Sequence, residues 1–237
     1  MSEEYAKDNL LDRLSDPATL ELQYAQLKRR ERELLRRRLP IGRGEVLSVG
    51  SGWHPGRHLF PAPHFRLTAV DLEGAMVRWT VESGAVDEGF VGRAGELALP
   101  DRSFDVVLYR LVLHHVAYQG PLEPSFLEAS RLLRPGGAMV AVEPGLWHPV
   151  GAALAVANRI GIATRIHGTP DDIPLSPRRL LAEARRVGLE PELHTVTYTW
   201  RRLPRQLQRR LQPLDRLGSH PGLRALGHTL MLIARKD

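Results

Sequence analysis

The chain has 237 residues, enough for one α/β domain with embellishments or for two small domains. It contains no cysteine, which excludes disulfides, zinc–thiolate sites and thiol nucleophiles, so any metal would have to be held by histidines and carboxylates. The net charge is +6, nearly all of it from arginine, concentrated in Lys28–Arg38 and Arg201–Arg210. Such runs suit an anionic partner or, more simply, two solvated helix faces, and Glu31 and Glu33 partly neutralise the first. No apolar run approaches the roughly 20 residues that span a bilayer. The longest, Val150 to Ile162, is broken by Asn158 and Arg159. Glu3, Glu4, Lys7 and Asp8 leave no apolar signal-peptide core, so a cytoplasmic protein is expected.

In chain order, Asp16-Pro17 is a helix start, with Asp as N-cap and Pro at the first helical position. Leu20, Tyr24, Leu27, Leu34 and Leu35 then recur at helical spacing, and Pro40 ends the segment. Residues 1–40 thus read as a helical segment packed on a core domain of 41–237. From Glu45 short apolar runs alternate with helical stretches. Strands are expected at Val46–Val49, Arg66–Val70, Glu88–Arg93, Phe104–Tyr109 and Ala138–Val142, with helices at Glu73–Ser83 and Pro124–Leu133. Alternation of this kind implies parallel pairing with right-handed crossovers. Pro55, Pro61 and Pro63 leave room for only a short helix after the first strand. The third quarter reads as an apolar helix from His148 to Ile162, a loop from His167 to Pro174, and a helix opened by Ser176-Pro177. Glu192–Trp200 and Thr229–Ala234 are the last strands, with insertions expected near 145–176 and 201–224.

The first strand runs into Gly50-Ser51-Gly52-Trp53-His54-Pro55-Gly56, where glycines let the backbone turn sharply and approach a ligand. Asp71 ends the second strand, where an acid can accept from both ribose hydroxyls of an adenosine. These two features alone fit a nicotinamide dehydrogenase nearly as well as any other nucleoside-binding enzyme.

The later segments add direction. Phe104-Asp105-Val106-Val107, Leu113-His114-His115-Val116 and Arg134-Pro135-Gly136-Gly137 follow in that order and lead into Val140-Ala141-Val142-Glu143-Pro144. In this combination the chain, from about Glu45 to Ala234, resembles the class I S-adenosylmethionine-dependent methyltransferases, especially those acting on small molecules. The resemblance implies a Rossmann-like, seven-stranded, mostly parallel sheet with helices on both faces and the last strand antiparallel. It implies S-adenosyl-L-methionine as cofactor. Gly50, Ser51 and Gly52 would then line its methionine part and Asp71 would take the ribose hydroxyls. Leu72 and Met76 would pack near the adenine, Ala94 and Gly95 would flank its edge, and Arg110 with the residues after it would close the pocket. Two positions depart from the family pattern: Ser48 and Arg93 stand where acids are usual, and arginine, having donors only, cannot accept from an adenine amino group. Glu96 is a candidate to compensate. Trp53-His54 replaces small residues, with the third glycine displaced to Gly56.

Methyl transfer to a hydroxyl needs positioning and removal of a proton, a task suited to histidine. His148 and His115 are the leading candidates for the base, with His114, His167 and His54 behind them. Glu143, His148, Asp171 and Asp172 form an alternative cluster that would hold a divalent cation. The expected activity is methylation of an oxygen on a small-molecule acceptor, an anionic compound or a sugar among the candidates. The alternative is a methyltransferase-like fold that binds the cofactor structurally or runs another reaction. Nucleic acid is disfavoured, because Tyr109-Arg110-Leu111-Val112 stands where amino-methylating enzymes carry an Asn/Asp-Pro-Pro-Tyr/Phe signature. The apolar helix from Val150 is a candidate wall for an acceptor pocket or surface for a homodimer.

Overall fold

A computed structural model describes residues 17–167, 171, 173–200 and 202–237, with backbone only at 17–19 and 167. Asp16, Asp172, Arg201 and the His167 side chain therefore lie outside the described residues. Helix α1 (Pro17–Arg38) precedes strands β1 (Gly44–Val49) and β2 (Phe65–Asp71), helix α2 (Gly74–Glu82) and strand β3 (Glu88–Val91). There follow β4 (Phe104–Arg110), α3 (Leu113–Gln119), α4 (Glu123–Leu132) and β5 (Leu133–Pro144). Then come α5 (Pro149–Arg159), α6 (Ala163–His167), α7 (Pro177–Arg186) and β6 (Leu189–Thr197). Helix α8 (Arg205–Leu211), a 3₁₀ turn (Gln212–Leu217) and β7 (Thr229–Lys236) complete the chain.

The seven strands form one sheet in the order β3-β2-β1-β4-β5-β7-β6. The first five are parallel, and β7 enters antiparallel between β5 and β6. This is the expected Rossmann-like architecture. The chain starts at β1, winds outward through β2 and β3, then returns to the other side of β1 at β4. The crevice opened at this reversal lies at the carboxyl ends of β1 and β4, the usual ligand position in such sheets.

Strand alternation divides the core between the two faces. Leu47, Val49, Val107 and Tyr109 pack under α4 and α7 through Phe126, Ala129, Leu132, Leu180 and Ala184. Val46, Leu67, Val106 and Leu108 face the other way, against Leu35 and Leu39, with Leu27 and Leu34 alongside. Helix α1 thus covers an apolar face. One edge of α1 also seats the second arginine-rich segment. Gln23 donates to Gln208 and Gln212 donates to Gln26, while Arg30 reaches the Gln212 carbonyl (3.1 Å) and the buried Asp215 (2.9 Å).

Several boundaries differ from the sequence reading. Strand β3 stops at Val91: Gly92 N–H makes a last ladder bond to the Asp71 carbonyl (3.0 Å), and Arg93 then closes a tight turn with Glu96. The apolar helix expected to reach Ile162 ends at Arg159, since Gly161 takes a left-handed φ of 76° and restarts the chain as α6. The strand expected at Glu192–Trp200 occupies Leu189–Thr197, α3 was not anticipated, and α8 falls in the second arginine run, read as a helix face without bounds. No described helix is long and apolar enough to cross a membrane.

Phe126 is fully buried in the α4 face of the core. Phe126→Ala is expected to destabilise the fold by about 3–5 kcal/mol, measured by urea denaturation, from lost transfer energy and the residual cavity.

Candidate active site

The turn after β1 is built on a backbone that only glycine enters cheaply. Gly50 has φ 63°, and a Cβ there would lie 2.2 Å from a Val112 methyl group. The β1 and β4 ends therefore approach more closely than any side chain at 50 would permit. Six residues on, Gly56 has φ 94° and faces Leu108 in the same way, so the displaced third glycine is needed where it stands. Asp71 joins this turn to β2: one carboxylate oxygen accepts from Gly52 N–H (2.9 Å) and the other from Glu73 N–H (3.0 Å).

A cavity of about 480 Å³ opens at this junction, within the usual range for cofactor sites. Gly50, Gly52, Asp71 and Leu72 form one end. Arg93, Ala94, Gly95 and Pro124 form another, and Leu111, Val112, His115 and Gln119 a third. The residues fit a nucleoside attached to a short polar chain. A carboxylate stands beside a glycine turn, and apolar walls lie between Leu72 and Pro124. Trp53 does not fill the crevice. It is 55% exposed and packs edge-on against Trp79, ring centroids 4.6 Å apart.

The structure sorts the sequence candidates. Gly50, Gly52, Asp71, Leu72, Ala94, Gly95 and His115 are brought together on the cavity wall, together with Arg93. Ser51 is buried beneath the turn, and its hydroxyl has no hydrogen-bond partner among the described residues. Met76 lies on α2 outside the lining, as does Glu96 in the turn with Arg93. Arg110 takes another direction. Its guanidinium forms a two-pronged pair with Glu31 of α1, Nε–Oε2 and Nη2–Oε1 both 3.0 Å, and the same carboxylate holds His58 Nε2 at 2.7 Å. It is the following residues, Leu111 and Val112, that reach the cavity. Leu111 has φ 58°, a left-handed conformation costing about 1–2 kcal/mol for a side chain of this kind. Sequence reading missed Glu31 as a site-associated group; its one signal was an acid inside an arginine run on a helix otherwise facing the core.

The histidines divide by environment. His115 lines the cavity, and its Nδ1 lies 2.8 Å from an Asp171 carboxylate oxygen. His114 is buried against it, ring centroids 4.0 Å apart, with Nδ1 2.6 Å from Glu143. The other Glu143 oxygen accepts from Val112 and Leu113 N–H at 3.0 and 2.8 Å, satisfying donors at the start of α3. His148 is not on the cavity wall. Its Nδ1 accepts from Val150 N–H (3.3 Å) as the N-cap of α5, and its Nε2–H donates to the Tyr198 carbonyl (3.1 Å). Burial lowers its pKa, with the Tyr198 bond opposing. His54 sits toward α1 near Tyr24, its pKa lowered by burial and then by Lys28 and Arg110. Among the described residues no group of three or more histidines and carboxylates is arranged to hold a metal ion.

Glu31 carries a pH signature. Burial alone would raise its pKa, but Arg110 and His58 together outweigh burial and leave it below the ordinary glutamate value. A depressed folded pKa means a contribution to stability that is complete above the unfolded value and is lost as pH falls through the folded one. Denaturant unfolding followed by circular dichroism from neutral pH downward should therefore show a steeper acid loss for the wild type than for Glu31→Gln.

Residues 47–141 match the family model for the methyltransferase domain. No curated protein matches the chain at a significant level. Among solved structures, the chain is similar to a Thermotoga maritima protein described as an S-adenosylmethionine-dependent methyltransferase, possible histamine N-methyltransferase. The TM-score is 0.66 at 14% identity, covering 93% of this chain and 92% of that one. It is similar to an Archaeoglobus fulgidus S-adenosylmethionine-dependent methyltransferase with TM-score 0.59 and 16% identity, covering 88% and 94%. It is also similar to the complex of a Haloferax volcanii methyltransferase with the Trm112 methyltransferase activator, with TM-score 0.63 and 16% identity, covering 98% and 100%. Sheet order, glycine turn and Asp71 agree with these matches: residues 47–141 match a methyltransferase domain, and the chain has the fold of these solved methyltransferases.

Proposed function

We propose that the chain methylates an oxygen of a small molecule, with His115 as the base that removes the acceptor's proton. The observation that carries this reading is the pairing of His115 with Asp171 on the wall of the cavity, at 2.8 Å. When bound, S-adenosylmethionine supplies a methyl group already activated by a sulfonium leaving group. The protein's share is then to orient, to exclude water and to move one proton.

The Asp71 carboxylate accepts from the ribose hydroxyls, held in place by the two N–H groups it already receives. Gly50 and Gly52 let the backbone approach the methionine part, while Leu72, Ala94 and Gly95 flank the adenine. Asp171 accepts from His115 Nδ1–H, which places the lone pair on Nε2, the atom that takes the hydroxyl proton. The same carboxylate then stabilises the imidazolium that forms. His114, committed to Glu143, fixes the start of α3 and so the position of its neighbour. His148 keeps an architectural role as a helix cap.

A specific observation also favours the reading of a methyltransferase-like fold that transfers no methyl group. Arg93, a donor-only group, lies on the cavity wall beside Ala94 and Gly95, where an acceptor for the adenine amino group would be expected. Calorimetry separates the two readings, because no cofactor binding at millimolar concentration supports the second and damages the first.

Purified protein incubated with cofactor and panels of sugars, phenols and small acids should release S-adenosylhomocysteine only with an acceptor present; release with amines alone would sink the oxygen assignment. His115→Gln is expected to lower kcat by about 10²–10⁴-fold with cofactor affinity little changed, and Asp171→Asn to move kcat the same way by less. His148→Gln should lower Tm and leave kcat near wild type. Gly50→Ala, forcing a methyl into Val112, should abolish measurable cofactor binding by titration calorimetry while the circular dichroism spectrum stays native.

A further inference from the structure

We infer that Glu31, carried by α1 and outside the cavity, is a positioning residue for the cofactor pocket. Its carboxylate is fully buried and makes three contacts: two to Arg110 at 3.0 Å and one to His58 at 2.7 Å. Neither partner lines the cavity, and each lies on a different segment leading to or from its wall. Arg110 is the last residue of β4, immediately before the cavity-lining Leu111 and Val112. His58 lies in the connection that leaves the Gly50–Gly52 turn. One carboxylate therefore ties the strand end to the loop that must sit against it.

The tie is needed because the segment it anchors is not at rest. Leu111 is held at φ 58°, and it stays there only if its flanks are fixed. On the far flank Glu143 accepts from Val112 and Leu113 N–H, and Leu111 N–H itself donates to the Val142 carbonyl at 2.8 Å. On the near flank Arg110 is held by its place in the β4–β5 ladder opposite Val142 and by its guanidinium, whose acceptor is Glu31. Val112 is the residue whose methyl group fills the space above Gly50. A shift at Arg110 would pass through Leu111 to this contact and change the shape of the cavity at the glycine turn.

Covering an apolar face does not require Glu31. Leu35, with Leu27 and Leu34 alongside, does that on the same helix, packed against Val46, Leu67 and Leu108. The two roles can therefore be separated by experiment. The inference rests on this cavity holding S-adenosylmethionine, and absence of binding to the wild type would overturn that reading and this one together. With binding established, titration calorimetry with S-adenosylhomocysteine compares Glu31→Gln with Leu35→Ala, both checked for native circular dichroism. The expected result is at least tenfold weaker binding for Glu31→Gln, and for Leu35→Ala a lowered Tm with affinity within twofold of wild type. A loss under fivefold for Glu31→Gln, or an equal loss for Leu35→Ala, overturns the positioning role and leaves the cofactor reading intact. Should Glu31→Gln fail to fold, the double variant Glu31→Met with Arg110→Met removes both charges and strands neither. Tenfold weaker binding by that variant supports the inference, and wild-type affinity overturns it.

Discussion

The whole site depends on how closely two strand ends can approach. β1 and β4 are neighbours in the sheet, yet the chain leaves them in opposite directions. A ligand fits only if the backbone turning out of β1 carries no side chain where Val112 stands. Gly50 meets that condition, and the Asp71 carboxylate then fastens the turn to β2 through Gly52 N–H. Three strand ends become one rigid rim, and the carboxylate that stiffens the rim faces the cavity. In the proposed function the same atoms serve structure and recognition, and binding does not have to build the rim.

Carboxylates assign the work of the paired histidines. His114 and His115 are adjacent in sequence and stacked in space, yet α3 turns one inward and the other toward the cavity. Glu143 takes the inner ring and spends its second oxygen on the backbone, which commits that pair to the fold. Asp171 comes from the long segment after β5 and meets the outer ring at the cavity. A histidine on the helix that follows β4 is thus paired with an acid from the segment between β5 and α7, the pair on which the proposed proton transfer rests.

Periodicity and punctuation carried the fold well. Short apolar runs separated by helical stretches gave the parallel strands, and the glycine turn with Asp71 located the crevice. What the sequence concealed were contacts made at long range. Arg110 looks like a pocket residue from its place after β4, but its guanidinium goes to a carboxylate seventy-nine residues earlier in the chain. His148 follows β5 as a catalytic base might, yet a local turn makes it a helix cap. The first outcome has no local signal, because it is decided by the helix that packs overhead; the second is local, His148 capping Val150 N–H just ahead of Pro149 at the helix start. Helix α3 was hidden for a related reason: its first donors are satisfied by Glu143 from the neighbouring strand rather than by a capping residue in its own sequence.

The antiparallel entry of β7 has a practical corollary. Thr229 pairs with Pro144 at the ligand side of the sheet, whereas Arg235 pairs with Ala138 near the opposite margin. Lys236 is pinned there, its ammonium donating to the Ser130 and Leu133 carbonyls at 2.6 and 2.9 Å. Anything joined after Asp237, a purification tag or a partner module, would emerge from the rear of the molecule, with the thickness of the sheet between it and the crevice.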